Sequence, residues 1–178
     1  MELKCKISLL GNEQVGKTSL ILRYIRNTFT PDYKTTLGAD FIDKEFTSKE
    51  FKELKEKDRM ILTIWDLAGQ AHFEEIASLY IHGSAGIILV FDVNNPNSLE
   101  SISKWKKIAE KVSQNAIFIC VGNKSDLRPV SDPELKELEQ KIGMPIVLAS
   151  AKTAVNVDNI FEKIAHKLLD QYLKKSKK

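Results

Sequence analysis

The chain has 178 residues, of which 43% are hydrophobic and 29% are charged. Because a domain averages about 150 residues, this length indicates one domain, expected over residues 1–173 and followed by a short basic tail at 174–178. The 27 Lys and Arg residues exceed the 24 Asp and Glu residues, but four lysines lie in the tail and the rest of the chain is close to neutral. This balance excludes a broad nucleic-acid-binding surface.

The sequence favours a protein of the reducing cytoplasm. Cys5 and Cys120 lie in apolar runs typical of buried strands, where a thiol behaves as a small hydrophobe. The longest apolar run, residues 86–91, is far shorter than the ~18 residues of a membrane span, and the N-terminus lacks a signal-peptide apolar region. Glu2 is incompatible with N-myristoylation, and the C-terminus has no cysteine to prenylate. We therefore expect a cytoplasmic protein, peripheral on membranes at most, with weak attraction between its lysine tail and anionic lipid.

Apolar runs alternate with amphipathic stretches along the chain, a rhythm that predicts parallel strands joined by helices in an α/β fold. Strands are predicted at 5–10, 41–47, 60–66, 86–93, 116–122 and 145–149. Helices are predicted at 17–26, 73–81, 98–112, 133–141 and 157–173. The run at 41–47 alternates polar and apolar residues, so we expect it to form an antiparallel edge hairpin with the next strand. The prediction is a six-stranded, mostly parallel sheet with helices on both faces.

Local signals predict two helix starts and one solvated loop. Asp132 is the expected N-cap of a helix that has Pro133 at its first position, and Asn97 is the expected cap of the helix that begins at residue 98. The Lys- and Glu-rich stretch 48–58 is predicted to be a solvated hairpin tip, because its charges are of mixed sign.

A phosphate-binding loop follows the first strand. Residues 11–18, with the sequence GNEQVGKT, match the pattern G-x-x-x-x-G-K-[ST] between a strand and a helix. Glycines let successive backbone N–H groups point at diphosphate oxygens, and the helix N-terminus adds the positive end of its dipole. Lys17 is predicted to bridge the β- and γ-phosphates and to act in catalysis. The expected phosphate-binding residues are Glu13, Gln14, Val15, Gly16, Lys17, Thr18 and Ser19.

A magnesium site and a hydrolytic water site are predicted beside this loop. The Thr18 hydroxyl is an expected Mg²⁺ ligand. Asp66, which ends an apolar run, is predicted to hold the same ion through water. Gly69 is placed to offer its backbone N–H to a γ-phosphate, and Gln70 to orient the attacking water. Taken alone, Asp-x-x-Gly is also a generic strand-ending turn.

Two further loops are predicted to read a purine base. The sequence NKSD at 123–126 and the sequence SAK at 150–152 each follow a predicted strand, at the sheet edge where doubly wound folds bind ligands. A carboxylate at Asp126 can accept both N–H groups of guanine's Watson–Crick edge, whereas adenine presents an acceptor there. Guanine is therefore preferred to adenine. The expected residues of this part of the site are Asn123, Lys124, Asp126, Ser150, Ala151 and Lys152.

These four motifs, together with the sequence TTLG at 35–38, resemble the ordered motifs of Ras-superfamily small GTPases, and of the Rab branch in particular. The resemblance covers essentially the whole chain and implies the P-loop small G-protein fold, with Mg²⁺ and GTP or GDP as ligands. It implies that Thr36 binds Mg²⁺ and the γ-phosphate, that Phe29 stacks near the guanine and that Tyr33 covers the phosphates. It also implies that Lys124 lies at the base and that Ala151 donates its N–H to guanine O6.

The resemblance also implies a molecular switch that regulates vesicle or membrane traffic through protein partners. Effectors, exchange factors and GTPase-activating proteins are expected to contact a segment that begins at Thr30 and ends at Asp40, and a second segment at 67–78. The partner-reading aromatic cluster of Rab proteins corresponds to Phe41, Trp65 and Tyr80, although three aromatics beside a sheet are often plain core. We expect a monomer.

Several positions depart from the family pattern. Glu13 stands where a small residue is usual and Gln14 where glycine is common, so we expect slow GTP hydrolysis unless Glu13 points into solvent. Leu67, Ala71 and His72 replace usual second-switch residues, and the hairpin at 48–58 is longer than in ordinary Rabs. A GTP-dependent binding module with little intrinsic hydrolysis is the alternative function. A P-loop kinase is a second rival, against which Asp126 argues.

Overall fold

The computed structural model describes residues 1–31, 36–70 and 74–176. In these ranges the strands are β1 (Glu2–Leu10), β2 (Ala39–Phe46), β3 (Arg59–Leu67), β4 (Gly86–Asp92), β5 (Ile117–Asn123) and β6 (Ile146–Leu148). The helices are α1 (Lys17–Arg26), α2 (Glu74–Ile81), α3 (Pro96–Glu100), α4 (Ile102–Val112), α5 (Asp132–Ile142) and α6 (Val157–Ser176). The start of the predicted helix at residue 73 lies outside the described residues.

One sheet holds all the described strands, in the order β2-β3-β1-β4-β5-β6. The edge strand β2 is antiparallel to β3, with Phe41 opposite Trp65, and every other neighbouring pair is parallel. The predicted α/β fold and the antiparallel edge hairpin are therefore confirmed. Because the parallel strands point the same way, the loops that follow β1, β3, β5 and β6 meet at one edge of the sheet.

Helices cover both faces of the sheet and divide the core into two clusters. On one face α1 and α6 pack against the sheet through residues such as Leu20 and Phe161. On the other face α2, α4 and α5 do so through residues such as Ala77 and Trp105. Cys5 and Cys120 are both buried, as predicted, and burial raises the pKa of Cys120 to about 12. No helix in the described part of the chain has the length and apolar composition needed to cross a membrane.

The predicted tip at 48–58 is not simply solvated. Its lysines and glutamates point outward, but Phe51 and Leu54 are 1% and 3% exposed and belong to the core. The ring of Phe51 stacks on Phe46 at 4.7 Å between centroids and lies 4.1 Å from the ring of His166 on α6. Residues 48–58 therefore anchor the β2–β3 hairpin to α6, and the prediction of a solvated tip holds for the charged side chains but is wrong for Phe51 and Leu54.

Both predicted caps are displaced, and one predicted helix is divided. Asn95, not Asn97, caps the helix after β4, because its side chain accepts the N–H of Asn97 at 3.1 Å. The region 98–112 consists of the end of α3 and then α4, which meet at Ser101. Ser131, not Asp132, caps α5, since its hydroxyl accepts the N–H of Glu134. In both cases the capping residue lies outside the helix, one or two positions before the proline of its first turn.

Candidate nucleotide-binding site

A cavity of about 400 Å³ lies at the edge of the sheet where the strands end. This volume is typical of small-molecule sites. The cavity is lined by the loop after β1, the start of α1, the segment before β2 and the loops that follow β3, β5 and β6. Its lining residues are Glu13, Gln14, Gly16, Lys17, Thr18, Ser19, Phe29, Pro31, Thr36, Gly69, Asn123, Lys124, Asp126, Leu127, Ala151 and Lys152.

The loop between β1 and α1 wraps around the Lys17 side chain. The Lys17 ammonium donates to the carbonyl oxygens of Gly11 and Asn12, each at 2.8 Å. Burial lowers the pKa of Lys17 to about 8, while the carboxylates of Asp66 and Glu13 act to raise it. The loop therefore holds a buried ammonium at the N-terminus of α1, and an anion bound there would favour the charged form of Lys17.

Two packing features fix the shape of this loop. The N-cap Gly16 has φ 94°, and a Cβ there would lie 2.3 Å from the Asn123 side chain, so only glycine fits. The Asn12 side chain donates to the Ser101 hydroxyl at 2.9 Å and accepts the indole N–H of Trp105 at 3.1 Å. Contacts from the turn between α3 and α4 thus hold the loop from outside.

Gly69 closes the cavity from the β3 side. Its carbonyl accepts the N–H of Glu13 at 3.1 Å, and a Cβ would lie 2.4 Å from that nitrogen. This contact leaves no room for a side chain at residue 69. Gln70, the predicted water-orienting residue, is half-buried and is not one of the residues that line the cavity.

The three predicted metal ligands lie together. Thr18 donates its hydroxyl to Asp66 Oδ2, and the hydroxyls of Thr18 and Thr36 are 2.8 Å apart. Asp66 Oδ1 is buried without a hydrogen-bond partner among the described residues. Burial raises the pKa of the Asp66 carboxyl, against hydrogen bonds from the threonines and the charge of Lys17 that lower it. Hard oxygen donors and one orphaned carboxylate oxygen fit Mg²⁺, which prefers such ligands.

The two predicted base loops are joined to each other and to the phosphate loop. Asn123 donates its side-chain amide to the Val15 carbonyl at 2.8 Å and accepts the N–H of Ala151 at 3.2 Å. The Ser150 hydroxyl donates to Asp126 Oδ1 at 2.6 Å. Asn123 and Ser150 are fully buried or nearly so. They therefore act as struts that hold Asp126 and Ala151 at the cavity.

Lys124 is held by a partner that the sequence analysis missed. Its ammonium lies 2.8 Å from Asp92 Oδ2, and its backbone is in the left-handed region with φ 62°. The pKa of Asp92 is lowered, because the hydrogen bonds from Lys124 and Asn94 outweigh its partial burial. No motif marks this pair, because Asp92 meets Lys124 only where β4 and β5 end side by side at the same sheet edge.

Most predicted site residues line the cavity, and several of the others contact residues that do. Val15 and Ser150 are buried and hydrogen-bond to the lining residues Asn123 and Asp126, and the buried Asp66 accepts the hydroxyl of Thr18. Tyr33 falls outside the described residues. Pro31 and Leu127 line the cavity but were not predicted, because neither carries a chemical group that a motif would flag.

The two unusual P-loop residues face the cavity. Glu13 and Gln14 are both exposed and line it. Gln14 has φ 62°, a backbone conformation in which side-chain-bearing residues are strained. The carboxylate of Glu13 acts to raise the pKa of Lys17, so the two groups are electrostatically coupled.

The three aromatic residues of the predicted cluster lie next to one another beside the sheet. Phe41 and Trp65 stack at 5.2 Å between centroids, and Tyr80 lies 6.3 Å from Trp65. Phe41 is 58% exposed. The Lys6 ammonium lies 4.4 Å from the centroid of the Trp65 ring. Trp65 and Tyr80 are half-buried and pack against the core, so Phe41 is the exposed member of a cluster that otherwise belongs to the edge of the core.

Comparison with known proteins identifies the family of this chain. The Ras family model matches residues 6–170. The chain belongs to the Ras family. It is 34% identical over 175 residues to the Ras-related protein SEC4 of Candida albicans, covering 96% of this chain and 80% of that protein. It is 36% identical over 176 residues to the Ypt/Rab-type GTPase YPT7 of Saccharomyces cerevisiae, covering 93% and 82%. It is 34% identical to the Ras-related protein Rab-31 of Rattus norvegicus, covering 92% and 82%. These relatives place it on the Rab branch of the small GTPases.

Proposed function

We propose that this Ras-family protein is a guanine-nucleotide switch that binds GTP or GDP with Mg²⁺ and hydrolyses GTP to GDP and phosphate. One observation carries the proposal. A single cavity is lined by a phosphate loop with a buried lysine, by two of the predicted metal ligands and by both base loops. One relative is described as a Ypt/Rab-type GTPase, and the alignment with it covers more than nine-tenths of this chain.

The phosphate part of the site supplies positive charge and N–H donors. Lys17 holds its ammonium at the start of α1, whose helix dipole also favours an anion. The backbone N–H groups of residues 14–19 bind the diphosphate oxygens, since the N–H of Glu13 is already bonded to the Gly69 carbonyl. Since phosphoryl transfer asks little covalent chemistry of the protein, this fixed charge supplies most of the stabilisation of the transition state.

The metal part of the site comprises Thr18, Thr36 and Asp66. When bound, Mg²⁺ neutralises charge that builds on the phosphate oxygens. The hydroxyls of Thr18 and Thr36 would hold the ion, and Asp66 would hold it through water with Oδ1, which has no hydrogen-bond partner among the described residues. Gln70, which follows Gly69 in the chain, is assigned the orientation of the attacking water.

The base part of the site selects guanine. Asp126 accepts the two N–H groups of the guanine edge, and Ser150 holds the carboxylate in place. Phe29 stacks on the base, and Lys124 with Lys152 borders it. Adenine would leave the charge of Asp126 opposed by an acceptor, which disfavours it.

The switch acts through the segments that touch the γ-phosphate. Contacts from Thr36 and Gly69 order the segments 30–40 and 67–78 in the GTP state, and hydrolysis releases them. The exposed Phe41, together with Trp65 and Tyr80, extends the partner surface. The protein then acts as a cytoplasmic monomer that serves vesicle traffic, peripheral on membranes and regulated by effectors, exchange factors and GTPase-activating proteins.

Phosphate release with multiple turnovers tests this proposal. Purified protein with excess GTP and Mg²⁺ is expected to release phosphate slowly and to continue past one equivalent, whereas ATP gives no release. The control Asp126→Ala retains the phosphate loop but loses the guanine contact, so its rate at low GTP falls. Tight GTP binding without turnover would favour the binding-module alternative. Equal rates with ATP would refute guanine selection.

A further inference from the structure

One arginine ties together two walls of the cavity without lining it. Arg23, in the last turn of α1, donates from Nε to the carbonyl of Ala151 at 2.8 Å and from one terminal nitrogen to the carbonyl of Lys152 at 2.9 Å. Its other terminal nitrogen donates to the carbonyl of Asn27 at 3.1 Å and to the side-chain oxygen of Asn27 at 3.0 Å. One side chain therefore makes four hydrogen bonds to two separate segments.

The first segment is the wall expected to read guanine O6. The carbonyl of Ala151 and its N–H lie on either side of the same Cα atom, so fixing the carbonyl restricts the direction of the N–H. Ala151 is 3% exposed and its N–H also reaches Asn123 at 3.2 Å. Arg23 therefore holds this residue through its carbonyl, while not itself lining the cavity.

The second segment leads to the aromatic wall. Asn27 caps α1 with φ 49°, and the chain turns there toward Phe29 two residues later. Phe29 is half-buried, packs against the core and lines the cavity with Ala151 and Lys152. The bonds to Asn27 fix the point from which the Phe29 segment leaves the helix.

We propose that Arg23 is a positioning residue that fixes the guanine slot, by clamping the wall carrying Ala151 to the wall carrying Phe29. This inference rests on the proposed function, since it assumes that a guanine base occupies the slot. The planar guanidinium suits the task because its donors point in several fixed directions, whereas a lysine ammonium acts as a point charge and reaches one segment at a time.

The test compares Arg23→Met with Arg26→Met on the same helix. Arg26 is exposed and lies in the same turn, so the control removes equal charge near the end of α1 without breaking the clamp. We measure the release of a fluorescent GDP in Mg²⁺. The ratio of dissociation constants for 6-thioguanosine diphosphate and GDP is measured by competition. The thio analogue keeps both N–H groups read by Asp126 and replaces O6 with a weaker acceptor.

Wild-type protein is expected to prefer GDP to the thio analogue. Arg23→Met is expected to release GDP about tenfold faster, as the loss of charged hydrogen bonds implies, and to lower the dissociation-constant ratio toward one. Arg23→Lys is expected to give a release rate and a ratio between those of the wild type and Arg23→Met. It also provides the test if Arg23→Met does not fold. Arg26→Met is expected to match the wild type.

Three results would overturn the inference. A ratio unchanged in both Arg23 variants, even with faster release, would mean that Arg23 only stabilises the fold. Release and ratio equal to wild type would mean that the clamp has no effect. If the wild-type protein binds GDP and the thio analogue equally well, the Ala151 N–H does not read guanine O6. Arg23 would then have no such contact to position. A wild type that does not bind GDP would instead refute the proposed function itself.

Discussion

Residues 48–58, between β2 and β3, offer a stability test at a place away from the nucleotide site. Phe51 is 1% exposed, and its ring lies between those of Phe46 and His166. Replacing it with alanine removes the stack that joins the hairpin to α6 and leaves a cavity in the core. Lys52→Ala is the matched control, because the neighbouring Lys52 is exposed.

The expected cost follows from the burial. A fully buried Phe replaced by Ala loses about 3–5 kcal/mol, and we expect about 3 kcal/mol because the hairpin tip can partly collapse onto the gap. In a chain of this length that corresponds to a drop of about 6–12 °C in the unfolding midpoint. The Lys52→Ala variant is expected to stay within about 0.5 kcal/mol of the parent.

Thermal and urea unfolding at a fixed excess of GDP and Mg²⁺ measure the difference, with ellipticity as the signal. GDP release is expected to be the same in both variants, because Phe51 does not line the cavity. If Phe51→Ala unfolds at the same midpoint as Lys52→Ala, residues 48–58 are not anchored in the core through Phe51, and this prediction is refuted.

Three further predictions concern the nucleotide site. Asp66→Ala is expected to make GDP release independent of Mg²⁺, whereas chelation accelerates release from the wild type; a variant that still responds to chelation contradicts the metal assignment. Asn123→Ala removes the partner of the Val15 carbonyl and the side chain that holds the Ala151 N–H, so GDP release is expected to rise about 100-fold. A change below threefold would refute its supporting role. Glu13→Gly removes a carboxylate from the cavity wall and is expected to speed single-turnover GTP hydrolysis, with unchanged turnover as the contrary result.

The sequence predicted the fold and most of the residues that line the cavity, because both depend on local patterns. Alternating apolar runs indicated the strands, and the glycine spacing of residues 11–18 indicated a loop that the structure wraps around Lys17. Asp66 was predicted from its place at the end of an apolar run, and the structure brings it to Thr18. Such features need only the order of residues along one or two elements.

The wrong predictions have two physical causes. Phe51 and Leu54 are two apolar residues among many charges, and their burial depends on α6, more than 100 positions further along the chain. The caps were misplaced because several residues near each proline are able to accept an N–H, and the backbone angles decide among them.

The supports of the site were not predictable from the sequence either. Arg23 bonds to residues 128 and 129 positions away, and Asp92 pairs with Lys124 across two strands. Neither belongs to a motif, because each acts on backbone or on another side chain rather than on the expected ligand. Only the folded arrangement reveals them.

The central claim is that one cavity selects a guanine nucleotide, and a direct competition tests it. The protein is stripped of nucleotide, incubated with equal concentrations of GDP and ADP in Mg²⁺, separated from free ligand and denatured, and the released nucleotide is identified by chromatography. We predict about one equivalent of GDP and no ADP. Recovery of ADP in comparable amount, or of neither nucleotide, would contradict the account.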